Sequence, residues 1–486
     1  MPSKHKTTKQ LSRNIKQKTG IAQSYPWYPL LRILIFLLFL PIFSLILQDP
    51  ALSKEIEREN SESELESILE GFDDESSEII DRHKLIKERV WDFSGFLTLG
   101  SSYNYSHKAP LPGKTDYRGL SRLRIKFFLG LDLFLPFQWK SKITGDGFYD
   151  FAYQIKGRSQ FTKELLDQQE KEFKLGEGYV QGNLFSNLDL KIGRQMVVWG
   201  KSDNIRITDI LNPLDNRDPG MVDIENLRLP VAMSMLNYYL GSWDLSVILI
   251  LEKRFDKNPA FGSDFNSLSF PTPEEKNPDG TEYAVALNGI FSGWDIAFYG
   301  ARVFENKPHF VMENGLKLKH SQLWMGGFAT NLVYNNFLFK TEGAWFYGLK
   351  FFNLPSKKKS RYDALVGIEF QGFANQVISF ELANQHILKF KNVLKKMPDF
   401  AKENEFQTAI RYSGDFKHDR LHLLFLASIF GIKFDGGGFQ RISLEYDLYD
   451  SLSITCGVIN YDSGNLALLR NIGNNDRAFF DIKYSF

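Results

Sequence analysis

The chain ends in RAFFDIKYSF, residues 477–486. Counted back by twos from Phe486, one face carries Tyr484, Ile482 and Phe480 and the other Ser485, Lys483 and Asp481. Successive side chains of an extended chain point to opposite sides, so this is a strand with one apolar face. The pattern recurs upstream. In QRISLEYDLYD (440–450), Ile442, Leu444, Tyr446 and Leu448 oppose Arg441, Ser443, Glu445 and Asp447. In DALVGIEFQGF (363–373), Ala364, Val366, Ile368 and Phe370 oppose Gly367, Glu369 and Gln371, with Leu365 the exception.

The spacing of the turns extends the argument to the whole chain. Very short junctions close hairpins at Ser186-Asn187, Gly241-Ser242, Ser292-Gly293, Asn335-Asn336, Ala374-Asn375 and Tyr449-Asp450. Longer polar segments lie between them, at 106–117, 158–172, 200–228, 254–280, 306–319, 349–361, 389–404 and 462–475. Strict alternation of short and long connections is the habit of a transmembrane antiparallel up-and-down β-barrel. From residue 91 onward it predicts an all-β barrel of about eighteen strands (16–20), with 308–318 readable as strand or loop. A secreted propeller would show a blade-length repeat, and a pair of sandwiches a linker; the sequence has neither. Trp139, Trp243, Trp294, Trp324 and Trp345 fall near predicted strand ends, as interfacial girdles require. The polar alternate positions are then lumenal, among them Glu177, Glu369, Glu445, Asp447 and Lys483.

Bulk numbers narrow the classes further. Lys and Arg total 59 against 58 Asp and Glu, so no global field points to nucleic acid. A single cysteine, Cys456, excludes a disulfide framework within the chain and any cysteine-built metal site. Residues 1–32 are basic without an acid, 33–47 are apolar and Ala51-Leu52-Ser53 offers small alternate residues. That order reads as a cleaved signal peptide over 1–53. Residues 54–90 form an acidic leader in which Leu65, Ile68, Leu69 and Phe72 make one face of a short helix. It could plug the lumen, dock a periplasmic partner, or simply join signal to barrel.

No catalytic, metal or cofactor constellation emerges. The histidines have no zinc-protease spacing, and His418 and His422 lie about 13 Å apart if extended. No Gly-x-Ser-x-Gly or phosphate-binding loop is present. The expectation is therefore a non-enzyme with no cofactor, embedded in lipid and facing lipopolysaccharide. Lys357–Lys359 and Arg361, with Lys389, Lys391, Lys395, Lys396 and Lys402, make adjacent outer loops basic.

KIGRQMVVWGKSDNIRITDILNPLDNRDPG, residues 191–220, begins as a strand and runs into 200–228, among the longest of these loops. Leu188, Leu190, Ile192, Met196 and Val198 share a face on which strict alternation also places Arg194. An arginine at mid-bilayer costs about 2–4 kcal/mol, so either a bulge at Gly193 turns it into the lumen or it reaches an interface. Inside the lumen it could pair with an acid such as Glu177, or face a passing solute. Beyond it, charge mixes with Ile205, Ile207, Ile210, Leu211 and Leu214, the composition of a folded loop able to narrow a barrel. Arg194, Gln195, Trp199, Lys201, Asp203, Asn212, Asp215, Glu225 and Arg228 are the pore and loop candidates.

The run IGRQMVVWGKSDNIRITDILNPLD with ENLRLPVAM after it resembles a family of outer-membrane barrels of unknown function from Gram-negative bacteria. The pattern is Gly-Arg-Gln, then Trp-Gly-Lys-x-Asp, then Asn-Pro-x-Asp. The leader LESILEGFDDE and the terminal Phe486 resemble theirs too. The resemblance implies a porin-like channel or export conduit, distantly similar to alginate-export channels. It further implies that Phe486 is read by the barrel-assembly machinery, and that some relatives serve inner-membrane exporters of the resistance-nodulation-division type. The residues leave open an electron-transfer sheath or a barrel-borne hydrolase, and name no substrate beyond small, hydrophobic or anionic solutes.

Overall fold

The computed structural model describes residues 90–486 apart from Ser267 and Ser269. The signal peptide and the leader helix expected before residue 90 lie outside the described residues. The first strands are β1 (Trp91–Asn104), β2 (Gly119–Phe134), β3 (Lys140–Asp150), β4 (Lys171–Phe185), β5 (Leu188–Gln195), β6 (Val231–Leu240) and β7 (Trp243–Ile250). After the two-residue β8 (Glu275–Lys276) come β9 (Glu282–Phe291), β10 (Trp294–Phe304), β11 (His309–Met312), β12 (Leu316–Lys319), β13 (Gln322–Tyr334) and β14 (Phe337–Leu349). The series ends with β15 (Lys359–Phe373), β16 (Gln376–Ile387), β17 (Asn404–Phe416), β18 (Leu421–Phe430), β19 (Gly437–Tyr449), β20 (Leu452–Asp462) and β21 (Arg477–Ser485).

Eighteen of these form one antiparallel sheet in which β1 pairs with both β2 and β21, so the sheet closes on itself and has no free edge. The terminal residue completes the seam: Phe486 and Gly95 exchange backbone hydrogen bonds of 2.9 and 2.8 Å. The remaining strands, β8, β11 and β12, make a small sheet within the long connections, which settles 308–318 as a hairpin inside a loop. Asn335 and Asn375, each with φ above +50°, make two of the tight turns; asparagine is one of the few residues that tolerates this region.

Alternation sets the two faces of the wall. In β15 the exposed Tyr362, Ala364, Val366 and Ile368 point outward, and Asp363, Leu365, Gly367 and Glu369 point inward. Outward aromatics gather at two levels. Trp139, Trp243 and Trp294 stand at the short-turn end, while Trp324, Trp345, Tyr347 and Tyr362 stand toward the long-loop end.

The inner face is not uniformly polar. From β6 round to β17 the inward positions include Met233, Ile248, Ala284, Ala286, Ala297, Ala301, Met325, Ala329, Ala344, Leu365, Ala383 and Ala409, all buried in one cluster. Leu365, the exception to its strand's polar face, is one of them and is 1 % exposed. Something covers this part of the interior.

Candidate translocation pathway

The cover is the connection between β5 and β6. The chain leaves the wall at Gln195 and rejoins it at Val231. A single side chain ties the two ends: fully buried Asn212 accepts the Val197 N–H at 2.8 Å and donates to the carbonyls of Gln195 (3.2 Å) and Leu229 (2.9 Å). Its first arm then docks on the alanine-rich wall. Trp199 stacks on Tyr299 of β10 with ring centres 4.7 Å apart, and Ile205, Ile207 and Leu211 join the buried cluster. Full burial of such side chains is worth about 1.5–3 kcal/mol each.

Two wall carboxylates hold the same arm. Glu342 of β14 accepts from the N–H groups of Lys201 (2.6 Å) and Ser202 (2.8 Å) and from the Thr208 hydroxyl (2.8 Å). Glu381 of β16 accepts from the N–H groups of Asp203 (3.0 Å) and Asn204 (3.2 Å) and from the Ser202 hydroxyl (2.8 Å). Successive N–H donors of an irregular backbone form a cradle for an anion, and here the wall supplies the anion. Gly200 has φ +86°, and a Cβ there would lie 2.7 Å from a Glu342 oxygen, so this approach requires glycine. Salt bridges flank it: Lys201 to Asp295 at 2.7 Å, and Asp203 to Lys340, which also reaches Glu369 at 3.1 Å.

The second arm reaches another stretch of wall. Arg441 of β19 pairs with Asp223 and donates to the Gly220 carbonyl at 3.2 Å. The Tyr461 hydroxyl of β20 donates to the Pro219 carbonyl at 2.7 Å, and Arg124 of β2 lies 3.5 Å from Asp218. Arg217 binds Asp215 and Glu172. Burial pushes the Asp215 carboxyl up, but the hydrogen bonds and charge of Arg217 outweigh it and hold the group below its ordinary range. Nearby Asp256 receives the Leu214 N–H at 2.8 Å, and there burial prevails and raises the carboxyl. Segment 196–230 is thus fastened to β10, β14 and β16 by one arm and to β19, β20 and β2 by the other.

The sequence candidates fall into three groups. Trp199, Lys201, Asp203, Asn212 and Asp215 all take part in the anchoring just described. Gln195 points inward, fully buried, and donates to the Met233 carbonyl at 3.1 Å; Arg228 pairs with Asp209 at 2.9 Å. Glu225 lies on a one-turn helix (Ile224–Leu227) beside a cavity. Glu369, Glu445, Asp447 and Lys483 occupy inward positions by register, and Glu177 lies at the irregularity in the β3–β4 pairing. Asp447 and Asp415 share His422, at 3.2 and 2.7 Å. Phe486 packs its ring against Phe93.

Of the two alternatives left open for Arg194, it takes the outward one, and it does not pair with Glu177. Register is continuous through Gly193 on both sides, so no bulge turns the strand. Arg194 sits opposite Gly178 and Ala232 on the outward face, at the loop end of β5. β4 rises past the end of β5, and Arg194 fills the gap, donating to the Leu175 carbonyl (3.3 Å) and pairing with Glu252 (3.1 Å). Glu177 instead accepts the Met196 N–H at 3.3 Å.

Two cavities remain beside the inserted segment. An outer vestibule of about 280 Å³ lies among the long loops, with Lys307, His309, Lys350, Phe351, Lys402 and Phe430 on its walls. Burial, with Lys350 and other cations nearby, pushes the His309 imidazole down to about 4, so at neutral pH the vestibule's cations are Lys307, Lys350, Lys402 and Arg361, which share its walls with Glu305, Asp399 and Glu405. His309 lies 3.2 Å from the Ser321 hydroxyl, but Ser321 is 1 % exposed and also receives the Lys350 N–H, a structural arrangement. An inner cavity of about 210 Å³ separates the second arm from β17–β19. Phe430 lines both, so the vestibule and the inner cavity are neighbours along one wall.

Sequence reasoning missed Glu342, Glu381, Tyr299 and Arg441. A signal existed for the two glutamates: each is followed along its inward row by apolar residues, Glu342 by Ala344 and Phe346 and Glu381 by Ala383. A carboxylate on a face that is not wet needs donors from elsewhere.

Solved structures share this architecture. A BenF-like porin from Pseudomonas fluorescens Pf-5 aligns with a TM-score of 0.50 at 11% identity, over 82% of this chain and 98% of that one. Acinetobacter baumannii OccAB1 aligns with a TM-score of 0.49 at 11% identity, over 82% and 96%. Likeness at this identity speaks for the porin-type eighteen-stranded barrel and not for a substrate. A search of curated proteins found no significant match. The family described as "Protein of unknown function (DUF1302)" matches residues 113–486, most of the chain, and the chain belongs to that family.

Proposed function

We propose that the protein is a passive outer-membrane channel for small solutes, anions included, whose passage is narrowed by segment 196–230. The carrying observation is the pair of cavities meeting at Phe430 beside a segment anchored across the lumen. An outward face of apolar residues with two aromatic levels suits a bilayer, and lipopolysaccharide would then meet the lysine-bearing long loops. In this reading Phe486, at the seam between first and last strands, is the residue the barrel-assembly machinery recognises. An inner-membrane exporter or periplasmic partner would engage residues 54–90.

Single-channel recording in planar bilayers tests the proposal. The full chain should give discrete conductance steps, and a variant with residues 200–228 replaced by a short linker should give larger ones. No conductance from either protein would refute the channel.

A further inference from the structure

Most arginines of the interior are saturated with carboxylate. Arg124 has Asp150, Arg217 has Asp215, Arg361 has Asp363, Arg441 has Asp223 and Arg477 has Asp264. Arg411 is different. It points inward from the middle of β17, between Ser379 of β16 and Leu426 of β18. Among the described residues its side chain makes no hydrogen bond and no salt bridge. Its field reaches Glu369, but that carboxylate is already bound to Lys340.

Arg411 lines the inner cavity. The cavity's other walls are largely apolar: Leu214, Val222 and Leu227 from the inserted segment, and Leu426, Phe430 and Phe439 from the barrel. Two of its acids are spent, Asp203 on Lys340 and Asp223 on Arg441. Its third, Glu225, is on the exposed side of its short helix. A guanidinium presents a fixed fork of donors that matches a carboxylate with two parallel hydrogen bonds. Set in an apolar chamber with its fork unoccupied, it selects for an anionic head attached to an apolar body. Phe430, between the two chambers, favours the apolar body.

We propose that Arg411 and the apolar walls around it form a binding station for monocarboxylates carrying an apolar chain. The station lies on the route through the barrel, and the proposal rests on the channel reading only for its role in transport. Ligand and channel can therefore be tested separately, with hexanoate as the probe.

Calorimetric titration of the detergent-solubilised full chain should show hexanoate binding. Acetate, hexanol and hexylamine should each bind at least about tenfold more weakly, since one charge-assisted contact or the burial of a few methylenes is worth that much. R411Q should lose hexanoate affinity by about tenfold or more, whereas R411K, which keeps charge but not the fork, should lose less. Lys142→Gln, on the opposite side of the lumen, should leave binding unchanged. In bilayers, hexanoate should reduce the ionic current of the native chain and not that of R411Q.

Equal binding of hexanoate by R411Q and the native chain, in proteins that migrate as folded barrels, overturns the station. So does equal binding of acetate and hexanoate. Hexanoate binding that depends on Arg411 in a protein without conductance supports the station and removes the channel.

Discussion

Two stretches of the barrel's inner wall obey the same alternation and carry opposite chemistry. Between β6 and β17 many inward positions are alanine, leucine and methionine, almost wholly buried under the inserted segment, and the charges among them, such as Glu342 and Glu381, are bound to that segment. From β21 through β1 to β5 they are charged: Lys483, Lys126, Lys142 and Lys191 all point inward, none within salt-bridge distance of a carboxylate among the described residues. A barrel interior is thus two environments, a dry interface where backbone is packed on it and a wet surface elsewhere. Strand geometry does not distinguish them; what lies opposite does.

The largest effect should come from forcing one chemistry onto the other wall. Ala329 faces inward on β13, is fully buried and lies in register with Glu342, so A329E sets a second buried carboxylate beside the first. An uncompensated buried charge costs about 3–5 kcal/mol. Thr98 on the charged wall lies in register between Lys126 and Lys483, so T98E meets two cations. Urea unfolding followed by heat-modifiable gel mobility should show A329E strongly destabilised or unfolded, and T98E within about 1 kcal/mol of the native chain. Equal tolerance of both would break the distinction between dry and wet walls.

How much of this could be read in the sequence follows from the same contrast. Outward faces repeat the same local pattern strand after strand, so Tyr484, Ile482 and Phe480 announced the barrel. The short and long connections announced its strand number. The buried segment was legible as a folded loop because Ile205, Ile207 and Leu211 interrupt its charges. Where it docks was not, because a carboxylate such as Glu342 and the backbone donors at 201–202 are about 140 residues apart. Arg194 stayed undecided for a related reason. Its alternation was correct, but the partner that makes an outward arginine tolerable, Glu252, comes from the far end of β7, and the gap above β5 exists only once β4 and β5 differ in height. Tandem apolar faces, as in EYAVALNGIF (282–291), were the overlooked sign that a strand is covered on both sides.

The middle effect concerns the attachment of the segment to the dry wall. Hydrogen bonds to a charged acceptor contribute about 1.5–3 kcal/mol each, and Glu342 and Glu381 each collect several. The double variant E342Q/E381Q removes both charges while nearly preserving shape. It should keep the barrel folded, since the wall's own ladder is untouched, yet loosen residues 199–208. In bilayers its conductance should be larger and noisier than that of the native chain, and limited proteolysis should cut within 199–208 faster. Native-like current and protection would mean that the apolar contacts of Trp199 and Ile207 alone hold the segment.

The smallest effect should arise on the wet wall, where charge is solvated and each substitution changes a potential and not a packing. Lys126 and Lys483 flank Thr98 and lie 5.6 and 5.1 Å from the Phe96 ring centre, a cationic pair set on an aromatic floor. Replacing both by glutamine leaves folding nearly unchanged, because solvated lumenal lysines make few contacts to lose. It does remove two positive charges from the lumen wall, and an ion in a conducting channel would sense a fixed charge within about 8 Å at physiological salt. Under a potassium chloride gradient the reversal potential of K126Q/K483Q should therefore shift toward lower anion preference, more at low salt than at high salt. Lys142→Gln should shift it less, since one charge is removed and not two. A reversal potential unmoved by the pair at low salt would place the ion path out of reach of this wall, against β17–β19 alone.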